Sequence, residues 1–151
     1  ISRDVSDYKV SLIDDNIERL GISNIDVQVY NALDKDDSLV GKADIVIADL
    51  PCSGLGIMGR KPDIRYNISP EKISDIIRLQ RDILEVVSMY VRPGGTLVYS
   101  TCTINRSENE DNADWICTSL GFTRDGEYVQ MLPSPDKDND GFFVARLIKN
   151  R

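Results

Sequence analysis

The chain has 151 residues, of which 41% are apolar and 28% charged, and this is the composition of a globular domain long enough to bury a core. No apolar run approaches the roughly 18 residues needed to cross a membrane, so no membrane partner is expected, and no signal peptide is visible. Its 18 basic and 25 acidic residues leave a net charge of −7, which is not the balance of a surface built to hold phosphates.

In chain order, strands and helices alternate, the pattern of a parallel sheet with helices on its faces. Ile1 to Asp4 reads as the tail of a strand, followed by a helix from Asp7 to Leu20 capped by Ser6. The helical spacing of Val10, Ile13, Ile17 and Leu20 supports that helix, and Gly21 ends it. Ile25 to Tyr30 is a short strand, and Asp44 to Leu50 is expected to be a buried one. Gly54 to Asn67, with its glycines, proline and basic residues, reads as a loop. Ser69 and Pro70 then open a long helix whose buried stripe holds Ile73, Ile76, Ile77, Ile83, Leu84 and Val87. Pro93-Gly-Gly95 turns into a strand from Thr96 to Ser100. Ser107 and Glu110 match a capping box for a helix reaching about Leu120, with Ala113, Ile116, Cys117 and Leu120 on its inner face. Phe122–Met131 and Phe142–Ile148 read as two strands joined by a polar turn over Pro133 to Gly141, an antiparallel hairpin at the sheet edge.

Cysteine usage is the next constraint. None of the three cysteines lies in a Cys-x-x-Cys pair, which fits a reducing cytoplasm rather than a disulfide framework. With no histidine in the chain, zinc sites and histidine triads lose their commonest ligand and base, and no metal site is expected. Acid–base work falls to carboxylates, cysteines, lysines or tyrosines. Cys117 sits on the apolar face of its helix and reads as core. The other two are placed differently: Asp49-Leu-Pro-Cys52 and Thr101-Cys102-Thr103 each follow an apolar strand. Ligands of open α/β sheets bind at the C-terminal ends of the strands. Two readings of Asp49 and Cys52 stand side by side: groups projecting into a cleft, or a turn cap and a small buried thiol.

The segments Asp49-Leu-Pro-Cys-Ser-Gly-Leu-Gly56, Arg60-Lys-Pro-Asp-Ile-Arg65, Pro93-Gly-Gly-Thr-Leu-Val-Tyr-Ser-Thr-Cys102, Glu108-Asn-Glu110 and Asp140-Gly-Phe-Phe-Val-Ala-Arg146 together carry a resemblance. In them the chain resembles the Sun-type RNA (cytosine-C5) methyltransferases, most closely the 16S ribosomal RNA methyltransferase B class, over nearly its whole length. The resemblance implies a Rossmann-like class I fold that uses S-adenosylmethionine to methylate cytosine C5 in ribosomal RNA, in the cytoplasm. It implies Cys102 as the nucleophile at C6, Cys52 in product release and Asp49 on the cytosine edge. It further implies Asp4 at the cofactor ribose and Asn31 near the adenine, where the family usually has aspartate, with Asp49 and Pro51 also lining the cofactor. Arg60, Lys61 and Arg65 form the compact basic cluster that would meet RNA phosphates; without the resemblance they read as solvated loop charges.

A glycine-rich loop belongs about 20 residues before the ribose acid, which would put it ahead of Ile1. The expectation is therefore a single domain over residues 1–151, the C-terminal part of a catalytic domain whose first strand, glycine loop and first helix lie upstream. Such a piece is expected to be nearly inactive alone. The competing readings are a Rossmann-like methyltransferase acting on a non-RNA substrate and a non-catalytic binding module that kept the fold.

Overall fold

A computed structural model of the protein describes residues 1–134, 136 and 138–151. The chain forms two compact units, Ile1–Asp36 and Asp37–Arg151.

The first unit is a strand–helix–strand element. Strand β1 (Ser2–Asp4) pairs in parallel with β2 (Val27–Val29), and helix α1 (Asp7–Leu20) connects them. The Ser6 side chain accepts from the Lys9 amide, and Gly21 closes α1 at φ 65°, as the cap residues predict. Val10, Ile13 and Ile17 are half-buried, whereas Leu20 is exposed. The second strand is shorter than the Ile25–Tyr30 reading: only Val27–Val29 are paired with β1, with the Asp26 carbonyl and the Tyr30 amide bonded to its two ends.

The second unit holds a five-stranded mixed sheet. Strand β3 (Ala43–Asp49) pairs in parallel with β4 (Val91–Thr101), and β7 (Phe142–Lys149) lies antiparallel to β4. Two short strands, β5 (Phe122–Arg124) and β6 (Val129–Met131), pair antiparallel with the two ends of β7. The predicted strand Phe122–Met131 is thus broken in two around Gly126, at φ 84°; both pieces pair antiparallel with β7 at the sheet edge, as the hairpin reading expects, and β7 joins them to β4. The predicted turn Pro133–Gly141 includes Pro135 and Lys137, which lie outside the described residues.

Helix α3 (Pro70–Tyr90), capped by Ser69 onto the Lys72 amide, crosses from β3 to β4. Helix α4 (Glu110–Ser119) follows β4. Register explains the core: the rows Val46–Leu97–Leu147 and Ala48–Tyr99–Ala145 face Leu84 of α3 and Ala113 and Ile116 of α4. Both helices pack on that one face. Alternate residues point the other way, so Ile45 and Ile47 are 62% and 72% exposed, and β3 is not the fully buried strand its composition suggests. The Gly54–Asn67 loop is also more ordered than read, with a 3₁₀ turn at Leu55–Ile57 and a single helical turn, α2 (Ile64–Asn67).

The Ser107/Glu110 capping box does not form. Helix α4 starts at Glu110 with Asn109 as N-cap, whose side chain makes no cap bond. The Asn109 amide is drawn inward instead, to the Thr103 carbonyl and the Gln130 side chain. Interior polar demand has overridden local capping. Among the described residues, no helix is long and apolar enough to cross a membrane, and no cluster of three or more His, Cys, Asp or Glu side chains could hold a metal ion.

Candidate active site

Parallel pairing brings the C-terminal ends of β3 and β4 side by side, with Asp49 opposite Ser100. The Ser100 hydroxyl donates to the Asp49 carboxylate at 3.1 Å, and the Leu50 amide bonds the Ser100 carbonyl. Both chains then leave the sheet, Pro51 stiffening the first exit, and each reaches its cysteine within three residues. The two thiols meet: Cys52 Sγ lies 3.2 Å from Cys102 Sγ. Both are half-buried and free, and so is Cys117 on α4.

Backbone contacts fix the approach of these loops. The Gly56 amide donates to the Cys102 carbonyl, and the Gly141 amide donates to the Gly56 carbonyl. A Cβ on Gly56 would lie 2.5 Å from the Gly141 oxygen and 2.7 Å from the Cys102 oxygen. Three chain segments touch there with no room for a side chain, which is why glycine stands at both positions.

Beneath the thiols lies a buried polar layer. Asn109 grips both neighbours of Cys102: it accepts from the Thr101 hydroxyl at 2.6 Å and donates to the Thr103 carbonyl at 3.0 Å. The Glu108 carboxylate, fully buried, receives the Ser53 amide and hydroxyl and the Gln80 and Asn105 amides. Burial, and then the hydrogen bond and charge of Cys102, push the Cys52 thiol above the ordinary range. Cys52 and Ser53 open onto a cavity of about 220 Å³, walled by α2 and the start of α3 through Asp63, Ile64, Asn67 and Lys72.

Comparison with known proteins settles the lineage. The family described as 16S rRNA methyltransferase RsmB/F matches residues 1–148. The chain belongs to the RsmB/F family. It is 35% identical to the ribosomal RNA small subunit methyltransferase F of Salmonella paratyphi A, over 99% of this chain and 34% of that protein. It therefore spans about a third of the length of the curated relatives it matches. Among solved structures, PH0851 superposes with a TM-score of 0.81 at 30% identity, covering 97% of this chain and 36% of the other. NSun6 from Pyrococcus horikoshii, solved with SFG, gives 0.80 at 26% identity, covering 99% and 41%. The fold is that of the Rossmann-like class I methyltransferases.

In this RsmB/F chain the remaining predicted residues are distributed as follows. Asp4 ends β1; its carboxylate accepts from the Ser6 amide and faces Lys9 Nζ at 3.4 Å. Asn31 follows β2 on the adjacent strand end and accepts from the Leu33 amide. These two belong to the first unit, whereas Asp49, Pro51 and the cysteines belong to the second. Pro51 presents its ring to solvent, and its carbonyl accepts from Gln80. Arg60 is paired with Asp140 at 3.0 Å, Lys61 is exposed, and Arg65 lines a small hollow with Met58, Pro62 and Tyr66.

Sequence reasoning quoted Ser53, Thr103, Glu108 and Asn109 within motifs without giving them a task, and passed over Gln80. One signal was available. Gln80 occupies a position in the apolar stripe of α3, between Ile76 and Ile83, and a polar residue inside such a stripe marks a buried polar partner.

Proposed function

We propose that this chain is the nucleophilic part of a cytosine-C5 methyltransferase acting on 16S ribosomal RNA in the cytoplasm. The observation that carries the reading is the contact of the Cys52 and Cys102 thiols, at 3.2 Å, beside Asp49 at the ends of two parallel strands. Cytosine C5 is a weak nucleophile until a thiolate adds to C6. Cys102 forms that C–S bond, and the displaced π electrons make C5 nucleophilic. S-adenosylmethionine, when bound, supplies the electrophilic methyl group that C5 accepts.

Asp4 and Asn31 fit that cofactor by type: on neighbouring C-terminal strand ends, a carboxylate can accept from ribose hydroxyls and an amide can both donate to and accept from an adenine edge. The NSun6 relative was solved with SFG, which supports the cofactor class. Asp49, with Pro51 after it at the end of β3, would hold the cytosine edge. Cys52 begins as the thiol partner of Cys102. Once Cys102 is bonded to carbon its charge and hydrogen bond are gone, and of the influences that raise the Cys52 thiol only burial is left. With its proton passed to solvent in the adjoining cavity, the Cys52 thiolate takes the C5 proton, and the electron pair left behind re-forms C5=C6 as the C6–S bond breaks and Cys102 leaves as a thiolate. The target base must leave its stack to reach this depth. Arg60, Lys61 and Arg65 would meet phosphates around it.

The test uses the intact protein, 16S rRNA and radiolabelled S-adenosylmethionine, with digestion to nucleosides. Label in 5-methylcytidine is expected. Label in any other nucleoside, or none despite measured cofactor binding, contradicts the reading.

A further inference from the structure

Glu108 is a fully buried carboxylate that touches neither thiol, yet its contacts reach both cysteine loops. Oε2 accepts from the Ser53 amide at 2.8 Å and from Gln80 at 3.3 Å; Oε1 accepts from the Ser53 hydroxyl at 2.6 Å and Asn105 Nδ2 at 2.9 Å. The Ser53 hydroxyl spends its hydrogen on Glu108, so at 2.8 Å it accepts from the Thr103 hydroxyl. Gln80 also donates to the Pro51 carbonyl at 2.9 Å. The residues on both sides of Cys52, and the one after Cys102, therefore hang from one carboxylate.

The chemistry of the site demands an acceptor-only group. Two donors converge on each oxygen, and an ionised carboxylate offers about four lone-pair sites and no hydrogen. An amide in its place would turn an N–H against incoming donors. Burial of the charge is compensated in kind. Gln80 is oriented by Asn112 at 2.8 Å, and Asn112 by Arg81 at 2.9 Å, a chain that relays the guanidinium's polarity inward. The N-terminus of α4 begins two residues later, an electropositive end.

We infer that Glu108 is a positioning residue that sets the separation of the Cys52 and Cys102 thiols by pinning Ser53, and through it Thr103. Its consequence for catalysis rests on the methyltransferase reading above; its consequence for thiol separation does not. The pin acts at a distance: losing it lets the two loops drift apart while the sheet beneath them persists.

The experiment compares wild type, Glu108→Gln and Ser53→Ala in the intact protein, each with Cys117→Ser to remove the third thiol. Diamide takes up one hydrogen from each thiol as it joins them, and mass spectrometry of the Cys52–Cys102 peptide reads the rate. Glu108→Gln should slow linkage about tenfold and lower kcat about 100-fold, with KM for RNA and cofactor within about threefold. Leu84→Ala, a core truncation, serves as the stability control: it should lower Tm without changing the linkage rate. If Glu108→Gln does not fold, Ser53→Ala decides, since it removes only the hydroxyl that joins Glu108 to Thr103. Folded Glu108→Gln, or failing that Ser53→Ala, linking at the wild-type rate overturns the inference. Slow linkage in the variant together with no methyl transfer by wild type would sink the methyltransferase reading and leave the pin standing.

Discussion

Around Cys52 and Cys102 almost every polar group is buried and bonded, and backbone meets backbone at Gly56 and Gly141. A few residues further on, Gly59 to Asn67 carries exposed Arg60, Lys61, Arg65 and Tyr66, with the Arg60–Asp140 pair, the Lys72 bond to the Asn67 carbonyl and local turns. The first region is close-packed and bonded throughout, as the proposed cooperation of two thiols would require. The second can adapt, as contact with a phosphate backbone permits. One stretch of chain thus supplies both rigidity and latitude, and the boundary falls just after the 3₁₀ turn at Leu55–Ile57.

Glycine substitutions should break the molecule on one side of that boundary only. Gly56→Ala drives a Cβ into two carbonyl oxygens that cannot yield, and should cost about 3 kcal/mol in denaturant melts. Gly59→Ala meets nothing within 4 Å and should change stability by less than about 0.5 kcal/mol. Asn109→Ala comes next in size. It strands the Thr101 hydroxyl and the Thr103 carbonyl in the interior, a loss of about 2 kcal/mol by the same melts.

These contrasts show what was legible in the residues. The alternation of strands and helices, the Ser6 and Ser69 caps and the stripe of α3 came through because each is a local signal. So did the placement of both cysteines at strand ends. The capping box at Ser107 failed because Glu108 and Asn109 are claimed by partners 55 and 21 residues away, contacts that no local pattern encodes. Strand β3 misled for a different reason. Its composition reads as buried on both faces, yet α3 and α4 cover only the Val46 and Ala48 side. Arg60 was assigned to RNA phosphates through the resemblance, and its pairing with Asp140, on a chain return 80 residues later, is a contact that no local pattern announces.

A smaller effect separates the regions by pH. Burial and Cys102 raise the Cys52 thiol in the folded protein, while in the unfolded chain it titrates near the ordinary value of about 8.5. A folded value above the unfolded one gives a stabilisation that is full below about pH 8.5 and is lost as pH rises toward the folded value. Thermal melts above about pH 9 should therefore fall less steeply for Cys52→Ser than for wild type. The least change in stability is expected from Lys61→Ala and Arg65→Ala, within about 0.5 kcal/mol. Each should instead lower RNA affinity and reduce the slope of log K against log salt by about 1, read from binding titrations at several salt concentrations.

The division of labour between the thiols is tested most directly by RNA carrying 5-fluorocytidine, in which fluorine replaces the C5 proton that must be removed before the C6–S bond can break, so that the adduct is trapped. With cofactor and intact protein, peptide mass spectrometry should find the RNA bonded to Cys102. The adduct should persist in Cys52→Ala and vanish in Cys102→Ala. An adduct that survives Cys102→Ala and is lost in Cys52→Ala would reverse the roles and contradict the account.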